Sequence, residues 1–385
     1  MSASFTEGLE GVVAAQSSIC YVDGQAGRLL YRGIDINDLA AWSTFEEVAY
    51  LLWFGDLPTQ GQLEQLKGEL AASRTLTEGV EDLLRRIPRD ADPMDALRTL
   101  VSSLGLYDAE AGDGSRGANV RKAIRLTGQI ATLVAAYHRL QLGQEPIPPD
   151  PSLSHAASFL HMVTGKVPGP ELAHIFDVAL ILHADHELNA STFAARVTAA
   201  TLSDFYSAIT SAIGTLKGPL HGGANEAVMR MLLDIGTPDQ VGLYIAGELA
   251  ARRRIPGFGH RVYRTWDPRA VILRDLTCDL EASTGELKWC SMSRQVADTV
   301  WEAKHLYPNV DFYSAPLYYT LGIPIELYTP VFAVSRVIGW AAHVLEQYAN
   351  NRLIRPRAEY LGPEKAEYVP MARRGVAPAA ESARS

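Results

Sequence analysis

Four groups of histidine, aspartate and arginine residues lie at breaks between predicted helices, and their side chains could do chemistry. The first group is His183-Ala184-Asp185-His186-Glu187, at the end of a strongly apolar segment. His183 and His186 stand three residues apart, which places them on one face of a helix, as in a pair of metal ligands. The group does not match the His-Glu-x-x-His motif, and no third ligand follows at a standard spacing. These residues alone allow either a metal site or a hydrogen-bond network at a helix end.

The second group surrounds His221 in the segment Lys217–Asn225, which reads KGPLHGGAN. Glycine and proline hold such a turn open, so that a ligand can approach the backbone and the imidazole closely. Capping of the following helix is the alternative role for this histidine.

The third group contains His260, which follows Pro256-Gly257-Phe258-Gly259 and precedes Arg264 and Arg269. It lacks the third glycine of a dinucleotide-binding fingerprint, and no strand is predicted before it. Outward-facing amides beside several arginines suit a ligand with phosphate or carboxylate groups. A solvated basic turn is the alternative.

The fourth group is centred on Asp311 within Asn309–Pro316, where its neighbours are apolar and aromatic. Such surroundings raise the pKa of a carboxyl group and suit it to act as a proton-transfer base. Arg336 follows among apolar residues of the last long helix, and a buried arginine needs an acidic partner or an anionic ligand. Together the four groups could bind a small dicarboxylate and move protons to and from carbon. The sequence contains neither a nucleophile elbow nor a P-loop.

The elements that must position these groups are mainly helical by their periodicity. Helices are predicted at 116–142, 154–164, 170–186, 191–201, 203–216, 238–251, 268–283, 292–306 and 329–350. Two more begin near Ser43 and Thr59, each with a glutamate or glutamine three residues later. Ile19–Val22 and Arg28–Tyr31 are predicted to form a short hairpin. The chain is therefore predicted to be essentially all-α, with a mobile tail from about Met371.

Composition limits the classes of function. In 385 residues, 44 acidic side chains outnumber 35 basic ones, and the net charge of −9 argues against non-specific binding to nucleic acid or to an anionic membrane. The three cysteines, Cys20, Cys278 and Cys290, show no metal-site spacing, and their number predicts a reducing compartment without structural disulfides. No apolar run approaches the roughly 20 residues that span a bilayer, and the N-terminus shows no secretory signal. We therefore expect a soluble, cytoplasmic protein.

Nearly the whole chain resembles the citrate synthase family. The resemblance runs from Gly8–Val12 and Gly27–Gly33 to Arg355-Pro356, and its blocks in order are HADHELNAST, GPLHGGANE, PGFGHRVYRTWDPR, PNVDFYS and SRVIGW. Members of the family condense acetyl-CoA with oxaloacetate and hydrolyse citryl-CoA to citrate and CoA, at the start of the tricarboxylic acid cycle. They need no metal and no tightly bound cofactor, and acetyl-CoA is a co-substrate.

The resemblance also implies an architecture. The family fold is an all-α homodimer in which each subunit has two domains and a short N-terminal hairpin. Carried over, it places a large helical domain at 1–222 and 323–385 and a small helical domain at 223–322. In the family the small domain closes over oxaloacetate, which excludes water from the reaction.

Individual roles follow from the same resemblance. Asp311 resembles the base that removes a proton from the acetyl methyl group. His221 matches the residue that hydrogen-bonds the thioester oxygen, and His260 matches the group that polarises the ketone of oxaloacetate and supplies a proton.

The substrate-binding residues follow in the same way. The residues that match the oxaloacetate-binding side chains are His186, Arg269, Arg336 and Arg355, the last of them expected to come from the partner subunit. The residues that resemble the CoA-binding portion are Pro256, Gly257, Phe258, Gly259 and Arg264.

Other functions compete with this interpretation. The nearest is that of 2-methylcitrate synthase, which uses propionyl-CoA with the same catalytic residues, although Ala315–Tyr319 looks more like the ordinary citrate enzymes. A metal-dependent hydrolase using His183, Asp185 and His186 is an alternative of another class, and a non-catalytic binding protein is a third. Because the chain begins almost directly at the hairpin block, the resemblance favours a dimer without control by NADH.

Overall fold

A computed structural model describes residues 5–285 and 287–374 of the chain, and helices dominate these ranges. The helices are α1 (Ile36–Trp42), α2 (Phe45–Phe54), α3 (Gln60–Ser73), α4 (Glu78–Arg86), α5 (Pro93–Leu104), α6 (Arg116–Gln141), α7 (His155–Thr164), α8 (Pro170–His183), α9 (Ala190–Ala200), α10 (Phe205–Leu216), α11 (Ala224–Ile235), α12 (Val241–Ala250), α13 (Pro268–Thr284), α14 (Lys288–Lys304), α15 (Val310–Thr320) and α16 (Tyr328–Ala349). The strands β1 (Cys20–Asp23), β2 (Arg28–Tyr31) and β3 (Ile34–Asp35) form an antiparallel sheet in that order. The prediction of an all-α protein with an N-terminal hairpin is confirmed, and β3 extends the hairpin.

Capping side chains explain where several helices begin. Thr44 accepts a hydrogen bond from the backbone of Glu47, whose carboxylate accepts one from the backbone of Thr44 at the start of α2. The predicted box at Ser43 was wrong by one position, because Ser43 is the C-cap of α1. Thr59 and Gln62 form the predicted box at α3.

The end of α8 differs from the prediction at a point that matters for function. The apolar pattern predicted a helix to residue 186, but α8 ends at His183. A turn follows, in which Glu187 has a left-handed φ of 51°, and Asn189 then caps α9. Asp185, His186 and Glu187 therefore lie on a turn, whereas His183 is the last residue of α8.

Helix α16 is the buried centre of the fold. It packs against α2, α6, α8, α9 and α10, and every residue from 328 to 345 is buried. Gly339 is required where this helix meets the turn after α8, because a Cβ there would lie 2.1 Å from the carbonyl oxygen of Ala184. The close approach brings the turn that carries His186 to the helix that carries Arg336.

Contacts divide the chain into two units. One unit combines the described residues before Gln16 with those from Arg355 onward, and the other is Gln16–Ile354. Helices α11–α15 fall within the predicted small domain at 223–322, and the division into a large and a small domain stays a prediction. A short 3-10 turn occupies Met371–Arg373, while residues 375–385 of the predicted mobile tail lie outside the described residues.

A disulfide joins Cys278 on α13 to Cys290 on α14, so the prediction of a chain without structural disulfides was wrong. The two helices follow each other across a short connection, and this folding brings the two Cα atoms to 5.0 Å although the residues are 12 apart in sequence. Cys20 is the free cysteine. No helix in the described part of the chain is long and apolar enough to cross a membrane.

Candidate active site

The turn between α8 and α9 holds His186 beside two other aromatic rings. Its Nε2 lies 3.4 Å from the hydroxyl oxygen of Tyr263, and its ring centre lies 5.1 Å from that of His260. Burial lowers the pKa of His186 well below its ordinary value, and the charge of Arg269 lowers it further. The imidazole is therefore neutral, and it can donate one hydrogen bond to an anion.

His221 lies on the turn that follows α10, and its orientation is fixed by Ser191. The backbone amide of Ser191 lies 3.3 Å from Nε2 of His221, and the Ser191 hydroxyl oxygen lies 2.8 Å from the same atom. An amide can only donate, so Nε2 accepts and the ring proton is on Nδ1. Burial, followed by the charge of Arg336, lowers the pKa of His221 to about 4. A neutral ring with a free Nδ1–H donor results.

His260 is fixed in the opposite tautomer. Its Nδ1 accepts hydrogen bonds from the backbone amides of Val262, at 2.9 Å, and Tyr263, at 3.1 Å. The ring proton is therefore on Nε2. Burial, followed by the charge of Arg269, lowers the pKa of His260 to about 4. This neutral imidazole presents an Nε2–H donor to its surroundings.

The loop before His260 is joined to the start of α15. Gly259 donates a backbone hydrogen bond to Tyr307, and Asn309 donates one to Gly257, each at 2.9 Å. Gly257 has a φ of +79°, and a Cβ there would lie 2.8 Å from the Cβ of Phe312. Only glycine allows this approach, which sets the His260 loop against the first turn of α15.

Asp311 occupies that first turn of α15. Its backbone amide donates to the side chain of Asn309, the N-cap of the helix. Its Oδ1 accepts no hydrogen bond from a described group. Burial raises the pKa of Asp311 to about 7, although the charge of Arg269 opposes the shift. Near neutral pH this carboxyl group can both take and release a proton.

Two arginines of the site differ in their partners. The Arg269 side chain forms two hydrogen bonds with the carboxylate of Asp267, at 2.8 and 3.0 Å, and both residues are buried. Burial disfavours the protonated form of Arg269, but the carboxylate of Asp267 stabilises that form and raises the pKa of Arg269 above the usual range. Arg336 instead donates from Nε to the carbonyl oxygen of His183 at 2.5 Å and lies 4.6 Å from the ring centre of Phe332. Arg336 forms no ion pair with a described carboxylate, so its guanidinium is available to an anion.

Charge interactions connect these groups into one site. Arg269 and Arg336 both act on the pKa values of His186 and Asp311. Arg336 also acts on His221. The structure thus brings together six of the seven residues that were predicted for catalysis and oxaloacetate binding, which are His186, His221, His260, Arg269, Asp311 and Arg336.

The remaining predicted residues are placed differently. Arg355 belongs to the other unit, where its side chain is exposed, and its predicted reach into a partner's site stays a prediction. Arg264 is exposed on the loop after His260, and its backbone amide donates to the carbonyl oxygen of Gly24 at 2.8 Å. Pro256–Gly259 form the loop that meets α15, and their predicted contact with CoA also stays a prediction.

The two histidines of the first group do not act together. The ring of His183 packs against Phe332 and Tyr318, and its Nδ1 lies 2.8 Å from the carbonyl oxygen of Ala179. The ring of His186 instead faces His260 and Tyr263. Among residues 5–285 and 287–374, no group of three or more histidine, cysteine or acidic residues is arranged to hold a metal ion.

Several residues of the site were not recognised from sequence. Tyr263 and Ser191 contact histidines of the site, and nothing in their local sequence distinguishes them. Asp267 was assigned no role, although aspartate before Pro268 is a typical helix N-cap, and the same carboxylate pairs with Arg269.

Comparisons with known proteins agree on one family. The family model described as "Citrate synthase, C-terminal domain" matches residues 8–357. The chain is 52% identical to citrate synthase of Haloferax volcanii over 376 residues, which covers 96% of this chain and 99% of that protein. It is 51% identical to citrate synthase 2 of Bacillus subtilis, with 96% and 99% of the two chains covered. It is also 43% identical to the citrate/2-methylcitrate synthase of Bacillus subtilis, covering 93% of this chain and 97% of that one.

Solved structures give the same result. The chain is similar to the citrate synthase of Thermoplasma acidophilum in its ternary complex with carboxymethyl coenzyme A and oxaloacetate, with a TM-score of 0.91 and 34% sequence identity. The similarity covers 96% of this chain and all of that one.

Proposed function

The chain belongs to the citrate synthase family, and from that premise we propose the residues with which it condenses acetyl-CoA with oxaloacetate. The observation that carries the proposal is Asp311, a half-buried carboxyl group whose pKa is raised to about 7, in one site with three neutral histidines and two arginines. The product is citryl-CoA, which is hydrolysed to citrate and CoA. Acetyl-CoA is the co-substrate, and no metal and no tightly bound cofactor takes part.

The first step is removal of a proton from the methyl group of acetyl-CoA. The ionised carboxylate of Asp311 takes this proton, and the electron pair of the C–H bond moves toward the thioester carbonyl. A carbon next to a thioester is a very weak acid, so the developing charge on oxygen must be stabilised at the same time. Nδ1–H of His221 is the donor available for that oxygen.

The second step forms the carbon–carbon bond. Nε2–H of His260 donates to the ketone oxygen of oxaloacetate and makes its carbonyl carbon a better electrophile. The nucleophilic carbon of the enolate attacks that carbon, and the electrons of the C=O double bond pass to the ketone oxygen. This oxygen becomes a hydroxyl group by taking the Nε2 proton of His260, which the proton held by Asp311 then replaces. Water then adds to the thioester carbonyl, the carbon–sulfur bond breaks, and CoA leaves as its thiol.

Cations hold the dicarboxylate. Arg269 and Arg336 come from α13 and α16, and neutral His186 adds a hydrogen-bond donor. The partner subunit's Arg355 is proposed as a third cation. Three cations against two carboxylates offset the cost of removing the anion from water, and they favour a transition state that carries further negative charge.

The CoA site is proposed at the loop before His260. The backbone of Pro256–Gly259 offers amides to the adenine and phosphate groups, and the exposed side chain of Arg264 supplies a positive charge. This loop also sets the position of His260, so CoA binding and ketone activation would use the same element.

The proposed assembly is a homodimer. Large apolar side chains near the C-terminal end of the described chain are exposed, as expected of a segment that packs on a second copy; they are Leu353, Tyr360, Leu361 and Tyr368. The proposed compartment is the cytoplasm, and neither a membrane nor a nucleic acid is a proposed partner.

The small domain at 223–322 is proposed to close over oxaloacetate before acetyl-CoA reacts. Gly222, Gly223 and Gly322 lie at the ends of that segment, where a hinge would act. Closure would exclude water and protect the thioester from hydrolysis.

The experiment that tests the function is release of CoA thiol by the purified protein with oxaloacetate, comparing acetyl-CoA with propionyl-CoA in the presence of EDTA. Strong preference for acetyl-CoA is the expected result. Faster turnover of propionyl-CoA would assign the chain to 2-methylcitrate synthesis, which the similarity to the Bacillus subtilis citrate/2-methylcitrate synthase makes the second candidate. Loss of activity in EDTA would favour a metal-dependent reaction instead.

A further inference from the structure

The carboxylate of Asp185 has no part in the roles proposed above, although it lies between two groups that would hold oxaloacetate. It precedes His186 directly, and the carbonyl group of His183 binds Arg336. Its side chain is fully buried, with 0% exposure. The hydroxyl group of Tyr31 donates to the Asp185 carbonyl oxygen at 2.9 Å and accepts from its amide at 3.1 Å. The backbone of this turn is therefore held rigidly.

His343 on α16 orients the carboxylate. Its Nε2 lies 3.3 Å from each oxygen of Asp185, and its Nδ1 lies 3.0 Å from a guanidinium nitrogen of Arg196. Since a guanidinium only donates, Nδ1 is the acceptor and Nε2 carries the proton that reaches Asp185. Arg196 is itself held by the carboxylate of Glu346 at 2.7 Å. The donor and the acceptor of each hydrogen bond from Glu346 through Arg196 and His343 to Asp185 are thus determined.

The two oxygens of Asp185 differ in their partners, because His343 hydrogen-bonds Oδ2 and lies only within ion-pair distance of Oδ1, while the Cys20 thiol also hydrogen-bonds the carboxyl group. Oδ1 accepts none from a described group, and it packs against Gly339, where a Cβ would lie 2.8 Å away. Burying a carboxylate oxygen without a hydrogen bond costs folding free energy. A carboxylate is kept in such a place when its negative charge serves a function. The negative charge of Asp185 therefore needs a nearby cation.

Arg336 is the cation that matches. It is buried and forms no ion pair among the described residues. Burial lowers the pKa of Arg336 to about 10, and the strongest opposing influence is the charge of Asp185. Burial likewise opposes ionisation of Asp185, but His343 and then Arg336 hold the pKa of Asp185 below its usual range. The geometry places both groups at one turn, because the His183 carbonyl binds Arg336 and Asp185 Oδ1 packs against Gly339, which lies one helical turn after Arg336 on α16. The two buried charges there favour each other's ionised form.

We propose that Asp185, oriented by His343, is a positioning residue for oxaloacetate binding: it is the counter-charge that keeps Arg336 directed at the substrate site before the substrate arrives. The inference rests on the proposed function, in which Arg336 binds a carboxylate of oxaloacetate. Without the counter-charge, a buried guanidinium would turn toward water or another acceptor. Oxaloacetate would then have to rebuild the site on binding.

The first test is Asp185→Asn, which keeps the shape and the acceptor for His343 and removes only the charge. We expect the KM for oxaloacetate to rise by about tenfold or more, and direct binding of oxaloacetate without acetyl-CoA to weaken equally. The KM for acetyl-CoA should stay within about twofold, because CoA does not depend on Arg336. A lower KM for oxaloacetate would mean that Asp185 only reduces the positive potential of the site, and unchanged values with a lower melting temperature would mean a structural role; either result overturns the proposal.

The second test is coupling to Arg336. Arg336→Met alone weakens oxaloacetate binding and leaves Asp185 without its cation. Adding Asp185→Asn in this background should weaken binding no further and should raise the melting temperature of the single variant. Independent, additive losses in the double variant would show that Asp185 does not act through Arg336.

The third test separates position from folding. His343→Gln keeps an N–H donor for Asp185 and an oxygen for Arg196, whereas His343→Leu removes both. We expect the glutamine variant to restore most of the oxaloacetate affinity that the leucine variant loses, with both folded by circular dichroism. Equal affinity in the two variants would rule out the role of His343. Absence of both oxaloacetate binding and CoA release in the wild type would instead refute the proposed function itself.

Discussion

Near pH 7 about half of the protein molecules carry an ionised Asp311, and this ionised form can act as a base. Asp311→Asn keeps the side-chain shape and removes the base. We expect turnover to fall by about 10²- to 10⁴-fold, while oxaloacetate still binds, because its proposed ligands are unchanged. CoA-thiol release and calorimetric titration with oxaloacetate measure the two quantities. Asp279→Asn, on the exposed side of α13, is the matched control and should keep wild-type turnover. Turnover at the wild-type level in the Asp311 variant would contradict the role of Asp311 as the base.

The same substitution has an effect on stability whose sign follows from the pKa. In the folded protein Asp311 keeps its proton up to about pH 7, whereas in the unfolded chain it ionises from about pH 3.8. The unfolded state therefore binds fewer protons between these values, and stability is lost as the pH rises through this window. Asp311→Asn removes that loss and should stabilise the protein by roughly 2–4 kcal/mol at pH 8, and by little at pH 4. Urea unfolding at both pH values checks it, and a variant less stable than wild type at pH 8 would contradict the burial argument.

At the scale of residues, sequence predicted the chemical groups better than their partners. His221, His260 and Asp311 were singled out because their types and loops suit proton transfer. The amide of Ser191 and the hydroxyl of Tyr263 were not, because each is ordinary in its own segment and gains its role from a distant element that the fold brings near. The tautomers of the histidines depend on such contacts and are not encoded locally.

At the scale of elements, the N-terminal hairpin supports both the turn that carries His186 and the loop that carries His260. Its turn accepts a hydrogen bond at Gly24 from the amide of Arg264, and β1 donates one from Val22 to the side chain of Glu187, each a contact with a loop that carries a site histidine. β2 holds Asp185 through Tyr31. The small sheet thus fixes the His186 turn relative to the His260 loop.

Gly24→Ala tests this support. A Cβ at Gly24 would lie 2.1 Å from the carbonyl oxygen of Val262, so the His260 loop would have to move. We expect kcat/KM for oxaloacetate to fall by about tenfold or more, since a displaced donor no longer meets the ketone. Gly61→Ala on α3, where the added Cβ meets nothing within 4 Å, is the control and should leave kinetics unchanged. Wild-type kinetics in the Gly24 variant would show that the loop is positioned by other contacts.

The Cys278–Cys290 disulfide is predicted to contribute stability rather than catalysis. It closes a short loop between α13 and α14. Such a cross-link lowers the conformational entropy of the unfolded chain, which stabilises the folded state by about 2–3 kcal/mol. Replacing both cysteines with serine should lower the unfolding free energy by about that amount and make it insensitive to dithiothreitol. CoA release at 25 °C should be retained, because neither cysteine is a proposed site residue. A stability that is equal with and without reductant in the wild type would contradict the prediction.

Helix length did not decide what could be predicted from sequence, since α12 with 10 residues was predicted and α5 with 12 residues was not. All nine predicted ranges beyond residue 115 correspond to observed helices within four residues at either end, because each has an apolar face and several have clear caps. Helices α1, α4, α5, α11 and α15 were missed. α11 begins in the glycine-rich turn of His221, and α15 contains Pro316, so in both the local signal for a turn hides the helix. The cysteine pairing was missed for a related reason: spacing rules look for metal motifs, not for two helices folded back on each other.

At the scale of the whole molecule, the proposed site includes Arg355 of a second copy of the chain. An exposed arginine and an exposed apolar segment do not by themselves require a partner, and the second copy follows from the role proposed for Arg355. This dependence can be tested genetically, because it places Asp311 and Arg355 of one active site on different chains.

Two inactive variants should therefore restore each other. A subunit with Arg355→Gln keeps Asp311, and a subunit with Asp311→Asn keeps Arg355, so a mixed dimer contains one intact site and one site with both defects. Random pairing at equal amounts gives about half mixed dimers, and activity should return to about a quarter of the wild-type value. Co-expression of the two chains with different affinity tags, followed by purification on both, isolates the mixed dimer and should give about half of wild-type activity per dimer. If Arg355 served the site of its own chain, every site in the mixture would carry one defect, and the mixed dimer would be no more active than its parents.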